Sequence, residues 1–413
     1  MNIEKIREDF PILKRKKNGK PLIYFDNTAT SQRPISVIEA ISDFYKKHNA
    51  NVHRGIHILS EEASEMYENA HDIVADFIGA KSREEIIFVR NTTEAINLVA
   101  YAYGIKNLHE NDEIAISIME HHSNMLPWIE LSKRTKTKLK IIDINDKNFL
   151  LDYDNASELI TDKTKIVAIT QASNVLGTVN DIEYICKLAK ENDAILVVDG
   201  AQSVPHIPVD VNKIGCDFLA FSGHKMLGPT GIGVLYVKRD LIEHMDPFMV
   251  GGGMISSVDL DLQGRYKITY AESPWRWEAG TPNIADGIGL AAAIKYLQKI
   301  GMENIKDHEF GLTKYTLDRL YEELEEKMDI YGPEPKHRVG IIPFNIKGLD
   351  PHVVALYLNE YGICVRSGFH CAQPLHNRLG IKQGTVRASF YLYNTEEEVD
   401  YFIDALKEIS SKK

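Results

Sequence analysis

No stretch of 18 or more apolar residues occurs in these 413 residues, so no membrane-spanning helix is expected. Cysteine is scarce. Four in the whole chain are too few for a disulfide framework, and the question becomes whether one thiol is chemically active. Positive charge is also short: 48 Lys and Arg against 59 Asp and Glu give a net charge of −11. That balance argues against general binding to nucleic acid or to an anionic membrane. The basic run Lys14-Arg15-Lys16-Lys17 reads as a solvated turn. The N-terminus carries acidic residues and no continuous apolar segment, so no signal peptide is expected and the expected location is cytoplasmic. Repeats, low-complexity tracts and a Walker A sequence are missing too. The glycine-rich Gly228–Gly233 run precedes a strand, so it is no dinucleotide fingerprint.

What is present is an ordinary globular composition, 44% hydrophobic and 26% charged. The length predicts two or three domains with a large core. Seven short β-rich runs (Glu85–Val89, Glu113–Ile118, Leu139–Ile144, Ile166–Thr170, Ala194–Asp199, Phe218–Ser222 and Ile232–Val237) mostly alternate with helical patterns. Such alternation predicts an α/β fold with a mostly parallel seven-stranded sheet covered on both faces. After about residue 290 the pattern becomes a smaller α+β domain. Its expected elements are helices over Asp286–Ile300, Glu303–Lys327 and Pro351–Tyr361. Its expected strands are Val339–Ile346, Ile363–Arg366 and Thr385–Tyr393, and a Thr395/Glu398 capping box opens the last helix. The expected division is an N-terminal arm, 1–20, packing with the small domain; a large domain, 21–290; and a small domain, 291–413. Gly251-Gly252-Gly253 reads as a mobile or ligand-approaching loop.

The chemistry-bearing residues follow strands, where open α/β sheets bind ligands. Lys225, in Ser222-Gly223-His224-Lys225, suits a partly desolvated, covalently reactive lysine, though an isolated loop lysine is usually a surface residue. Asp199, with Gln202 just after it, could pair with a protonated ring nitrogen or simply cap the next turn. Thr92 or Thr93, in Arg90-Asn91-Thr92-Thr93-Glu94, would cap a helix and help form an anion site. In Glu120-His121-His122 one imidazole could stack on a cofactor ring. His53 and His57, four apart, could share a helical face, but no carboxylate motif accompanies them and no metal site is expected. Cys371 sits in a Gly-containing loop beside His370 and near Arg366, where positive neighbours favour thiolate. Cys186, Cys216 and Cys364 read as inert.

Taken in order, these segments resemble the cysteine desulfurases of the class V aminotransferase group, on the fold-type-I scaffold for pyridoxal phosphate. The resemblance spans nearly the whole chain. It includes Tyr24–Thr30, Asn51–His57, Asn91–Glu94, Glu120–Asn124, Ser173–Gly177, Asp199–Gln202, Ser222–Lys225, Glu278–Pro282, the Cys371 loop and Arg387–Ser389. Arg366-Ser367-Gly368-Phe369-His370-Cys371-Ala372 is similar to the SufS-like, group II branch, except that Phe369 stands where that branch has a further His. The resemblance implies that Lys225 holds pyridoxal 5'-phosphate, Asp199 pairs with the ring nitrogen, Gln202 with the phenolic oxygen, and His121 stacks on the ring. Thr93, Glu94, Ser222 and His224 would serve the cofactor, and Thr281 would reach the phosphate site of the other subunit of a homodimer. Asn174 and Arg387 would bind the substrate carboxylate, with Asn27, His53 and Arg366 also at the substrate. The implied reaction converts L-cysteine to L-alanine, leaving sulfur as a persulfide on Cys371 for a SufE-like or SufU-like acceptor in iron–sulfur or other sulfur-cofactor assembly. The rivals are a selenocysteine lyase or another class V enzyme, an aminotransferase with no need of Cys371, and a scaffold that has lost its cofactor.

Overall fold

The computed structural model describes residues 1–17 and 19–411. Its centre is a seven-stranded sheet in the order Ile86–Val89, Gly233–Val237, Phe218–Ser222, Ile195–Asp199, Thr164–Thr170, Glu113–Ser117 and Lys138–Ile142. Six strands run parallel and Gly233–Val237 runs against both of its neighbours. The α/β expectation therefore holds. The inner strands are continuous apolar runs because helices cover both faces, and two separate apolar clusters fill the two sides. No helix among the described residues is long and apolar enough to cross a membrane.

Helix Ile284–Ile300 links this sheet to the C-terminal part. There four antiparallel strands, Met328–Ile330, Ile341–Ile346, Thr385–Ser389 and Arg366–Gly368, pack under helices Met302–Leu324, Pro351–Glu360 and Glu396–Ser410 around a third apolar cluster. The Thr395/Glu398 capping box is present. The N-terminal arm reaches both parts: Arg7 pairs with Glu398 at 2.8 Å, while the Asp9 carbonyl accepts from Ile35 N and its carboxylate from Tyr296. Ile23–Tyr24 pairs in parallel with Ile363–Cys364 of the C-terminal part.

Several local expectations are corrected. The strand expected from Val339 begins at Ile341, because Val339 N is used by Gly177 O across the gap between the two parts. The strand expected to Tyr393 ends at Ser389, where Asn394 folds the chain into a turn by accepting from Tyr391 N. His53 and His57 share no helical face: His53 has φ +74° in the preceding loop and His57 is the N-cap of Ile58–Ile78. The triple glycine leads into an exposed two-stranded hairpin, Ile255–Leu260 with Tyr266–Tyr270, whose apolar residues lack the burial that usually marks a strand.

Candidate active site

The C-terminal ends of the parallel strands face the C-terminal sheet across a cleft of about 340 Å³. Asp199 ends one strand, Ser222 ends the next, and Lys225 follows on a single 3₁₀ turn. Part of Lys225 opens into the cleft, yet the protein packed around its ammonium lowers its pKa, with Asp199 opposing and Arg387 adding to the shift. Burial raises Asp199 and Lys225 pulls it back, so the pair is mutually stabilising. Asp199 Oδ1 also accepts from Ala201 N at 2.9 Å. His121 lines the same cleft; burial, then the Lys225 charge, lowers it to about 3, so its ring is neutral at pH 7. Gln202 donates to Thr28 O at 2.8 Å, while its Oε1 is buried without a partner among the described residues.

Hydroxyls gather at one end of the cleft. Ser222 Oγ accepts from Thr92 N at 2.9 Å and lies 2.7 Å from Thr92 Oγ1, and Thr93 Oγ1 lies 2.7 Å from Ser123 Oγ. The His224 ring is beside them, lowered to about 4 by burial and then by Lys225. The helix here is capped by Asn91, which accepts from Glu94 N; this corrects the expectation of Thr92 or Thr93 as cap and frees both hydroxyls for the cleft. Gly233 is required behind this loop, since a Cβ there would stand 2.6 Å from Asn91 Cα.

The opposite wall carries Cys371, which is exposed. His370 and Cys371 both take left-handed backbone, φ +49° and +56°, a conformation side-chain-bearing residues rarely adopt. Cross-wall bonds hold it: Asn174 Nδ2 donates to His370 O at 2.7 Å, and His122 N donates to Cys371 O at 2.7 Å. His370 Nε2 reaches Thr385 O and Oγ1 at 3.1 and 2.9 Å, which fixes the ring; burial and then Arg387 hold it well below its usual pKa. Arg387 is buried, donates to Asn174 O at 2.8 Å, and is lowered to about 10 by burial. Its Nη2 lies 3.6 Å from Asp26 Oδ1, and its buried Nε has no hydrogen-bond partner among the described residues. Arg366 lines the cleft and is gripped from behind by Asp26 at 2.8 and 3.1 Å. Phe369 packs edge-on against His376.

The structure thus brings together Lys225, Asp199, Gln202, His121, Thr93, Ser222, His224, Asn174, Arg387, Arg366 and Cys371. Three expected residues lie elsewhere, and Thr281, expected at another subunit's phosphate site, is also outside this cleft. Asn27 is buried, with its amide spent on Tyr24 O, Ser389 O and Asn394 and its oxygen on Tyr393, which leaves nothing for a substrate. His53 is exposed and lies against Trp275, ring centres 4.3 Å apart. Glu94 turns back to Arg90, and Thr281 is exposed in a separate hollow with Trp277. Thr28, Ser123 and Asp26 were not singled out, and Thr92 was read only as a cap or anion-site residue. Thr92 and Ser123 lie within quoted segments, but their lining of the cleft depends on chain partners 130 and 30 positions away.

A desolvated lysine facing a buried carboxylate, with a neutral imidazole and a hydroxyl pocket beside them, defines a class of pyridoxal-phosphate enzymes. The chain belongs to the aminotransferase class-V family, whose profile matches residues 23–402. Within that family it is similar to the cysteine desulfurases. It is 48% identical to the cysteine desulfurase of Haloferax volcanii, over 98% of this chain and 96% of that protein. The apo structure of a cysteine desulfurase from Thermococcus onnurineus NA1 superposes with a TM-score of 0.92 at 46% identity, covering 99% and 98% of the two chains. The Escherichia coli cysteine desulfurase CsdA, in an S-sulfonic acid form, gives 0.89 at 36% identity over 99% and 98%.

Proposed function

We propose that the protein is a pyridoxal-phosphate-dependent cysteine desulfurase in which Cys371 receives the sulfur of L-cysteine and presents it to an acceptor. One observation carries this reading: a single cleft holds Lys225 and Asp199 on one wall and an exposed cysteine on the other. The residues fit the cofactor, because Gln202 Oε1 and Arg387 Nε are buried without partners beside a lysine–carboxylate pair. Lys225 would hold it, with Asp199 and Gln202 at the ring, the neutral His121 against its face, and Thr93, Ser222 and His224 at the phosphate. When bound, pyridoxal phosphate supplies an electron sink for the carbon next to the substrate amine.

Arg387, a buried cation lining the cleft, binds the substrate carboxylate in a charge-assisted contact. The Lys225 amine, its pKa lowered by burial, takes the Cα proton. The Cys371 thiolate attacks the substrate sulfur. An S–S bond forms, the substrate's Cβ–S bond breaks, and its electron pair stays with the three-carbon fragment, which takes up protons and leaves as alanine. The exposure of Cys371 suits delivery to a sulfur-acceptor protein of SufE-like or SufU-like type. Four cysteines, none of them paired with another, suit a cytoplasmic protein. Homodimerisation is supported by the exposed hairpin residues Val258, Leu260, Leu262 and Tyr266 and by the exposed Thr281, which would complete a partner's phosphate site. Arm 1–20, the large part 21–290 and the small part 291–413 act as the working units.

The test is incubation of the holoenzyme with L-cysteine and a thiol reductant, assaying sulfide and alanine together. Equal amounts of both are expected. Cys371→Ser should keep its cofactor and bind cysteine but release neither, while Cys364→Ser stays active. Mass spectrometry should place the added sulfur on the Cys371 peptide. Sulfur on another cysteine, or normal turnover by Cys371→Ser, would move the selenocysteine-lyase or aminotransferase readings ahead.

A further inference from the structure

We infer that Glu120 is the proton-bearing half of a carboxyl pair with Asp199, a positioning residue that leaves the negative charge on Asp199. Glu120 follows the strand Glu113–Ser117 and immediately precedes His121, and it is fully buried. Its Oε1 accepts from Thr170 N at 3.0 Å and lies 2.5 Å from Ser117 Oγ; its Oε2 accepts from Asn124 Nδ2 at 2.6 Å. Thr170 is the residue registered opposite Asp199, so both carboxyls sit at the ends of the two strands that flank Thr164–Thr170.

The two acids differ in their counter-charge. Asp199 shares the cleft with Lys225, whose charge pulls its pKa back down. Glu120 is outside the cleft lining and has no ion pair among the described residues. Two neighbouring carboxylates in a dry interior do not both ionise, and the proton goes to the one without a cation. Burial first, and the Asp199 charge in addition, raise Glu120 to about 8. The groups facing it are Ser117 and Asn124 from its own segment, Thr170 from one neighbouring strand and Asp199 from the next. The Ser117 hydroxyl either donates or accepts, so the proton is accommodated by rotating one O–H. The pair thereby holds one negative charge, placed on the member that faces Lys225, and Glu120 also fixes the turn that carries His121.

The inference rests on Asp199 as the anion at the cofactor ring. It is tested by infrared spectra of the holoenzyme in heavy water, subtracting Glu120→Gln from wild type at pH 6.5 and pH 9.5. A carboxylic-acid C=O band present at pH 6.5 and lost at pH 9.5 is expected. In an Asp199→Asn background the same band should disappear at lower pH, because the neighbouring charge is gone. Cofactor uptake should survive Glu120→Gln within about twofold and fall at least tenfold in Glu120→Ala, since Gln keeps a neutral group of the same shape. A missing band at pH 6.5, or a Gln variant as impaired as the Ala variant, overturns the inference. An enzyme that desulfurates cysteine but lacks the band fails this inference alone; one that shows the band but releases no alanine fails the functional reading alone.

Discussion

The two walls of the cleft hold their chemistry by different means. On the large part, Asp199, Ser222 and Lys225 stand at the ends of paired strands, and the sheet itself sets their spacing. On the small part, Cys371 sits on left-handed backbone, suspended from the far wall by Asn174 and His122. The first wall is set by a continuous strand ladder, whereas the second hangs on a few long-range bonds and is in that sense the more adjustable. Electrostatics follow the same division: the lysine–carboxylate pair is desolvated, while Arg366 on the rim is half-exposed and only braced by Asp26.

The largest expected effect removes the first wall's reactive group. Lys225→Ala should lose the borohydride-trapped cofactor adduct and lower turnover by about 10²–10⁴-fold, the usual contribution of a proton-transferring side chain. A trapped adduct on a different lysine would remove Lys225 from its role. Next comes Arg387, which belongs to the small sheet but is as buried as the opposite floor. Arg387→Ala should weaken cysteine binding by about 2–5 kcal/mol, because a buried charge partner is lost. Unchanged apparent affinity in a titration of the cofactor absorption would place the carboxylate elsewhere.

Much of the first wall was legible in the sequence, and less of the second. Asp199 and Lys225 each close an apolar run, so strand ends and chemistry coincide in one local signal. Cys371 was visible as a thiol in a glycine-bearing loop, but its suspension from Asn174 spans 196 positions and leaves no local trace. The same holds for Asp26, whose grip on Arg366 spans 340 positions. Asn27 misled in the opposite sense: it lies in a segment typical of the family, yet its polar atoms are consumed by the turn at Asn394. The strand limit at Val339 failed for a related reason, since its N–H bonds to distant Gly177 O, whereas the limit at Tyr393 failed locally, where Asn394 Oδ1 takes Tyr391 N.

A smaller effect probes the adjustable wall. Asn174→Ala deletes one side-chain bond to His370 O and keeps the backbone bond from Arg387. Alkylation of Cys371 by iodoacetamide at fixed pH should quicken several-fold, as expected for losing about 1 kcal/mol of restraint. An unaltered rate would show that His122 N alone holds the loop. The smallest effect is a null on the first wall. With its pKa lowered to about 3, His121 stays neutral from pH 5 to 9, so its imidazole NMR resonance should not shift across that range. A titration near pH 6.5 would mean that the ring is hydrated and not packed in the cleft.

The reversed strand Gly233–Val237 has a consequence for the order of assembly. It lies beside Phe218–Ser222 with Gly233 opposite Ser222, so the segment holding Lys225 is closed by a short hairpin. Joining Asn174 to His370 instead closes a loop of 196 positions. Chain-closure entropy grows with the logarithm of loop length, which makes the second closure costlier by about 2.5 kcal/mol. By closure entropy alone, the short hairpin that carries Lys225 closes before the Cys371 loop docks, while the rest of the lysine's pocket, such as Thr92 against Ser222, waits on long-range contacts.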